Sequence, residues 1–239
     1  MSAPTKSCIV ALALLASLAV PAHGQARSPA QPGKNDCPAS TPYLDAETLK
    51  AAGFELPVFK RLCFSDRSGS HVLVLGEAQD APFAEELLSK TLQAALYKVE
   101  GGRSLSKQWS IRDFALKDEA GVNFRSKLIE LTDLDGDGLV DPVLVYRFFD
   151  RKDATHFESD DFAGRIKIVA FHHGRKATIH AITGQLDDER TTTANGNYFA
   201  LPKPVQQHLV RKMAAMYEAG QFGFDNSYGF VPRKESAAR

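Results

Sequence analysis

The chain reads as a mainly antiparallel, β-rich α+β single domain with an amphipathic C-terminal helix, and three observations predict this. Short runs of β-branched and aromatic residues recur between His71 and Ile182, each bounded by turn residues, which is the pattern of strands. After Pro204, the apolar residues Val205, Leu209, Val210, Met213 and Met216 recur at helical spacing, and proline suits a first helical turn. Between these features there is no second linker and no internal repeat, so residues 37–232, about 200 in number, are expected to form one domain of ordinary size.

Residues 1–24 carry the three parts of an export signal: a positive charge at Lys6, an apolar run from Ile9 to Val20, and small residues around Pro21–Ala26. That run is about 12 residues, against about 20 for a membrane span, so a cleaved signal is expected and a permanent anchor is not. Cys8 precedes the run rather than following it, which argues against a lipid anchor. The mature chain is therefore expected in the periplasm or outside the cell. Residues 25–36 are polar and rich in Pro and Gly, with nothing to bury, and are expected to be a disordered lead-in. Removing the signal takes one basic residue from the 29 Lys and Arg and none from the 29 Asp and Glu, leaving a nearly neutral protein. Such a balance argues against nucleic acid as a partner.

Cys37 and Cys63 remain as an even pair, and in an oxidising compartment a disulfide is the simplest expectation. Asp45 can cap a short helix over Ala46–Ala52 that stops at Gly53. Strands are expected at His71–Leu75, Leu92–Val99, Lys107–Phe114, Phe124–Leu131, Pro142–Phe149, Ile166–Phe171 and Ala177–Ile182. Residues 81–92 fit a helical turn or a strand start equally. His172–Lys176 is expected to turn a hairpin, with Gly174 free to take positive φ. The C-terminal helix should cover the sheet, Phe222, Phe224, Tyr228 and Phe230 should pack back onto the domain, and residues 233–239 should form a flexible tail.

One motif carries chemistry. Asp133-Leu134-Asp135-Gly136-Asp137-Gly138-Leu139-Val140-Asp141 sets carboxylates at loop positions 1, 3, 5 and 9 with a glycine at 6. Calcium takes six to eight oxygens, and alternate residues of a tight loop can aim side chains at one ion. The expected ligands are the carboxylates of Asp133, Asp135 and Asp137, the backbone carbonyl of Leu139, and Asp141 directly or through water. Position 12 is Leu144, where an EF-hand has a bidentate Glu, and the flanks read as strands. A structural calcium ion in a β-hairpin connection is thus expected.

Other groupings are weaker. His172, His173 and His180 suggest a transition-metal site, but adjacent strand residues face opposite ways, so at most one of the pair can meet His180. The Gly69-Ser70-His71 run lacks nucleophile-elbow spacing. Gly101-Gly102-Arg103 reads as a turn, and Trp109 as a core aromatic rather than a sugar platform. The polar excursion with Asp153, His156, Glu158, Asp160 and Asp161 is the one candidate binding loop. No catalytic constellation is present, and a non-enzymatic protein is expected.

The segments Trp109–Phe114, Leu131–Gly138 leading to Tyr146, and Ile166–Phe171 before His172-His173-Gly174 resemble, in order, a family of secreted bacterial proteins described as surface polysaccharide biosynthesis proteins. The resemblance spans roughly residues 60–217. It implies a role in the cell envelope, with a surface glycan or an envelope protein as partner, and names no reaction. A looser similarity, resting on export, the cysteine pair, the Asp loop and the β content, links the chain to periplasmic calcium-loop β proteins that inhibit lysozyme-like hydrolases. It implies an inhibitor or immunity role, with residues 153–161 entering the hydrolase cleft.

Overall fold

Alternation along the strands decides the architecture, because successive side chains of an extended chain face opposite ways and the central strands here are apolar on both sides. The computed structural model describes residues 35–38, 41–81 and 87–236, within the compact unit Gly33–Arg239. The expected signal, most of the lead-in, residues 82–86 of the ambiguous stretch and the last three residues of the tail lie outside the described residues.

Strands β1 (Val58–Asp66), β2 (Gly69–Glu77), β3 (Thr91–Glu100) and β4 (Ser104–Phe114) form one antiparallel sheet in that order. Strands β5 (Glu119–Phe124), β6 (Glu130–Thr132), β7 (Asp141–Asp150), β8 (Arg165–His172), β9 (Arg175–Ile182), β10 (Thr191–Ala194) and β11 (Arg233–Lys234) form the other, ordered β11-β10-β9-β8-β7-β5 with β6 also on β7. The helices are α1 (Ala46–Ala51), α2 (Gly196–Phe199) and α3 (Lys203–Glu218).

The sheets face each other across a layer that includes Leu73, Leu75, Leu92 and Ile111 from one and Val122, Leu144, Tyr146, Phe148 and Phe171 from the other. Trp109 lies parallel to Phe171 there, with ring centroids 3.6 Å apart, and so serves the interior. On the outer face of the first sheet, Val72, Val74, Ala95 and Tyr97 meet Leu49 of α1 and Phe54. On the outer face of the second, Val143, Val145, Ile168 and Ile179 meet Val205, Leu209, Met213 and Met216 of α3, with Phe222 and Phe224. The result is a helix, two sheets and a helix in layers, a β-rich α+β domain. Each fully buried Val, Leu or Phe contributes about 1.5–3 kcal/mol relative to exposure, so the strands buried on both faces, β2, β3, β7 and β8, contribute most to the stability.

Several elements differ from expectation. The strand expected over Phe124–Leu131 is three pieces: the end of β5, a 3₁₀ turn at Ser126–Leu128 and the start of β6. Strands β1, β10 and β11 were not foreseen, and β10 pairs with β11 in parallel. Arg233 and Lys234, assigned by sequence to a flexible tail, are therefore held in the sheet. The end of the lead-in is ordered as well. Asp36 bridges Leu62, the Cys37 N–H donates to Arg61 O at 3.3 Å, and the Cys63 N–H to Asn35 O at 2.7 Å. Cys37 and Cys63 form a disulfide that fastens this segment to the outer edge of β1. The β8–β9 hairpin turns on His173 and Gly174, both at positive φ (48° and 72°), as a two-residue hairpin loop requires.

Two predictions follow from the packing. Reducing the disulfide, or Cys63→Ser, removes a link across 26 residues and should lower stability by roughly 3 kcal/mol, read by urea denaturation; an unchanged midpoint would show that the segment holds without it. Glu77, 5% exposed, accepts the Phe124 N–H at 2.6 Å, and burial pushes its carboxyl up to about 7 against that hydrogen bond. Its folded-state value lies above the unfolded one of about 4.3, so its contribution is full below that pH and is lost as pH rises through about 7. Between pH 5 and 8 the wild-type Tm should fall roughly 5 °C relative to Glu77→Gln, and parallel curves would disprove the assignment.

Candidate functional site

The Asp loop is the connection of the β6–β7 hairpin, with Thr132 opposite Asp141. Its near flank is fixed by α3: Lys212 Nζ donates to Leu128 O and Glu130 Oε1, both at 2.7 Å, and His208 Nε2 lies 2.6 Å from Glu130 Oε2. Burial opposes the charge on Glu130, but these two partners hold its carboxyl below the usual range.

Within the loop the backbone folds around Asp133. Its Oδ1 accepts N–H groups from Gly136 (2.7 Å) and Asp137 (3.2 Å), and its Oδ2 that of Gly138 (2.7 Å). Gly136 and Gly138 take φ of 82° and 84°, a region where a side chain is strained, so the bend depends on both glycines. Asp137 accepts the Leu139 N–H at 2.7 Å and Asp141 that of Leu134 at 3.0 Å.

Carboxylate atoms of Asp133, Asp135 and Asp137 all lie within 4.8 Å of one another, and a second such group joins Asp135, Asp141 and His172. Asp135 belongs to both, and its buried Oδ1 has no hydrogen-bond partner. His172 Nδ1 is 3.0 Å from Asp141 Oδ1, while Nε2 faces Asp135 Oδ2 at 3.9 Å. An ionised carboxylate only accepts, so Nδ1 is the nitrogen that donates to Asp141, and Nε2 is left on the side of Asp135; carboxylates orient metal-binding histidines through such a bond. Burial pushes the Asp141 carboxyl up, aided by the charge of Asp135 and opposed by its hydrogen bonds. His173 Nε2 pairs with Asp137 Oδ2 at 2.5 Å, and this hydrogen bond leads the effects that lower the Asp137 carboxyl. The aspartates thus fall into two groups that share Asp135, and their chemistry fits a divalent cation: oxygen donors predominate and one buried oxygen lacks a partner. The carbonyl of Leu139 follows the same bend.

The loop also joins the two sheets. Asp66 Oδ2, in the β1–β2 turn, accepts the Val140 N–H at 3.1 Å, and the Arg67 N–H donates to Gly138 O at 3.0 Å. The sequence reading did not place His172 beside this loop and did not single out Asp66. A signal for His172 was available: the β7–β8 register, Val143 opposite Ala170, extends by two places to set Asp141 opposite His172.

The excursion after β7 divides into a tip and a base. At the tip, Asp153 accepts the N–H groups of Thr155 and His156 and lies 2.8 Å from His156 Nδ1, with both side chains more than half exposed. The base wraps around Arg147, which is 1% exposed. Its guanidinium donates to Asp161 Oδ1 at 2.7 Å and to the carbonyls of Asp160 and Ala163. Glu158 pairs with Lys152, and Asp160 with Gln185. Asp161, with the backbone of Asp160, thus supports the fold at this end of the sheet, while Asp153 and His156 lie on the exposed tip.

His180 lies 3.4 Å from Glu235, whereas His172 and His173 meet aspartates of the loop, so the three histidines do not form one site. His71 is buried against Phe64, with Nδ1 3.1 Å from the carbonyl of Gly69, and Ser70 pairs with Ser65. Among the described residues no helix is long and apolar enough to cross a membrane. A scan against protein-family models gives no match, and comparisons with curated proteins and with solved structures give none either.

Proposed function

We propose that the chain is a non-enzymatic exported envelope protein whose Asp133–Asp141 loop holds a structural calcium ion and whose partner is a surface glycan or an envelope protein that assembles it. The observation that carries the metal reading is the buried Asp135 Oδ1 without a hydrogen-bond partner, on a residue that belongs to both groups of ligands. Asp133, Asp135, Asp137, the Leu139 carbonyl and Asp141 would hold the ion, a mainly oxygen set suited to a hard cation. The ion offsets four negative charges and, through the contacts of Asp66 and Arg67 with the loop, fastens the first sheet to the second. The envelope reading is supported by the formed disulfide, the near-neutral charge, the export signal read from residues 1–24 and the resemblance over residues 60–217.

Calcium should raise the wild-type Tm above that in chelator by several degrees, and Asp135→Ala should abolish the difference. Equal melting temperatures with calcium and with chelator would sink the structural-ion reading, and a larger shift with zinc than with calcium would reassign the site to His172 and a softer metal.

A second reading, inhibition of a peptidoglycan hydrolase, is favoured by the excursion: an exposed tip at Asp153–His156, braced internally, on a base anchored to Arg147. Such a loop is pre-organised for insertion into a cleft. Capture from periplasmic extract decides between the two. A retained glycan or glycan-assembly protein supports the envelope reading, whereas a hydrolase whose retention is lost in Asp153→Ala/His156→Ala supports inhibition.

A further inference from the structure

Of the two groups of ligand atoms that share Asp135, the one with Asp141 and His172 differs in offering a ring nitrogen. We propose that this group is a separate position for a divalent transition ion such as zinc, held by His172 Nε2, Asp135 and Asp141 beside the calcium of the Asp133–Asp137 side. It rests on the structural-calcium reading above and adds a second ion to it.

Calcium takes six to eight oxygens, whereas an imidazole nitrogen among carboxylate oxygens suits zinc and its neighbours in the first transition row. The side chain of His172 is 13% exposed and that of Asp141 2%, so the pair belongs to the interior rather than to the surface. Nδ1 of His172 is committed to Asp141 Oδ1 at 3.0 Å. In the neutral ring, donation through Nδ1 leaves the lone pair on Nε2. Asp141 thereby orients the ring, and since its oxygens each accept one hydrogen bond, from His172 and from the Leu134 N–H, it keeps lone pairs to act as a third donor.

Nε2 of His172 and Oδ2 of Asp135 stand 3.9 Å apart, too far for a hydrogen bond between them. Two ligands each about 2.1 Å from one zinc ion are separated by roughly 3.0 Å at a right angle and roughly 4.2 Å in line, so the gap has the width for an ion. The buried Oδ1 of the same carboxylate has no hydrogen-bond partner, and with two oxygens Asp135 can serve both positions.

The charges point the same way. One divalent ion balances half of the charge on four carboxylates. The nearby cationic groups lie on the other side of the loop, where His173 pairs with Asp137 and the charge of Arg67 also acts on Asp137. The remaining negative charge is that of Asp135 and Asp141, where a second divalent ion meets it.

The test is a zinc titration of the oxidised chain already saturated with calcium, followed by calorimetry and by the ring nitrogens of ¹⁵N-labelled histidine, in wild type, His172→Gln and His173→Ala. One zinc should bind with calcium retained and shift Nε2 of His172 but not that of His173, a signature read in wild type without any substitution. His172→Gln should weaken zinc by roughly tenfold or more while leaving the calcium-dependent rise in Tm unchanged, and His173→Ala should leave zinc binding as it is. Zinc binding kept in His172→Gln, or lost equally in His173→Ala, would overturn the assignment to His172. Displacement of zinc by excess calcium would show one shared position, overturning the second ion and leaving the calcium reading intact. A response to zinc with none to calcium would overturn the calcium reading and the second position with it, and no response to either ion would overturn both.

Discussion

Strand β7 has no solvent face, and most of the molecule is arranged around that constraint. Val143 and Val145 point to α3, and Leu144, Tyr146 and Phe148 point to the opposite sheet. A slip of one residue would exchange the two sets and place each against a surface shaped for the other. Arg147 continues the row on the α3 side beyond the reach of the helix, so something else must cover it. The excursion after β7 does so with backbone carbonyls and Asp161, while Phe157 meets Phe149 edge-on. A buried guanidinium without such acceptors would be strongly destabilising.

The same strand explains which parts of the fold were legible in sequence. The stretches in the middle of the two sheets, around Val72–Leu75, Leu92–Val99, Pro142–Phe149 and Ile166–Phe171, carry enough β-branched and aromatic residues to declare themselves. The outer strands do not. In β1, Lys60, Arg61, Ser65 and Asp66 break the apolar pattern, and Thr191–Ala194 and Arg233–Lys234 are too short and polar to stand out. Their pairing is decided by neighbours far along the chain. The region after Phe124 misled for a different reason: Ile129 and Leu131 look like a continuing strand, whereas Ser126–Leu128 turns the chain towards Lys212 of a helix that follows much later.

The site shows a similar division. The spacing of Asp133, Asp135, Asp137 and Asp141 was readable because all the participants lie within nine consecutive positions. His172 was weighed only with His173 and His180 and set aside, because its partner depends on the β7–β8 register, and Asp66 was invisible because it comes from the other sheet. The excursion was recognised as polar, but polarity could not distinguish the tip residues Asp153 and His156 from Asp161, whose carboxylate meets the buried Arg147.

The segment Asn35–Cys37, fastened along β1, has a bearing on how the chain matures. A sheet's outermost strand offers unpaired N–H and C=O groups to any passing chain. Here Asn35–Cys37 occupies part of that row, and the disulfide ties it there. Before the two thiols are oxidised that tie is absent, and the row opens more readily to another chain. Folding intermediates would then be most prone to self-association in a reducing environment, and the timing of thiol oxidation, rather than the rate of core collapse, would set the yield of well-behaved protein.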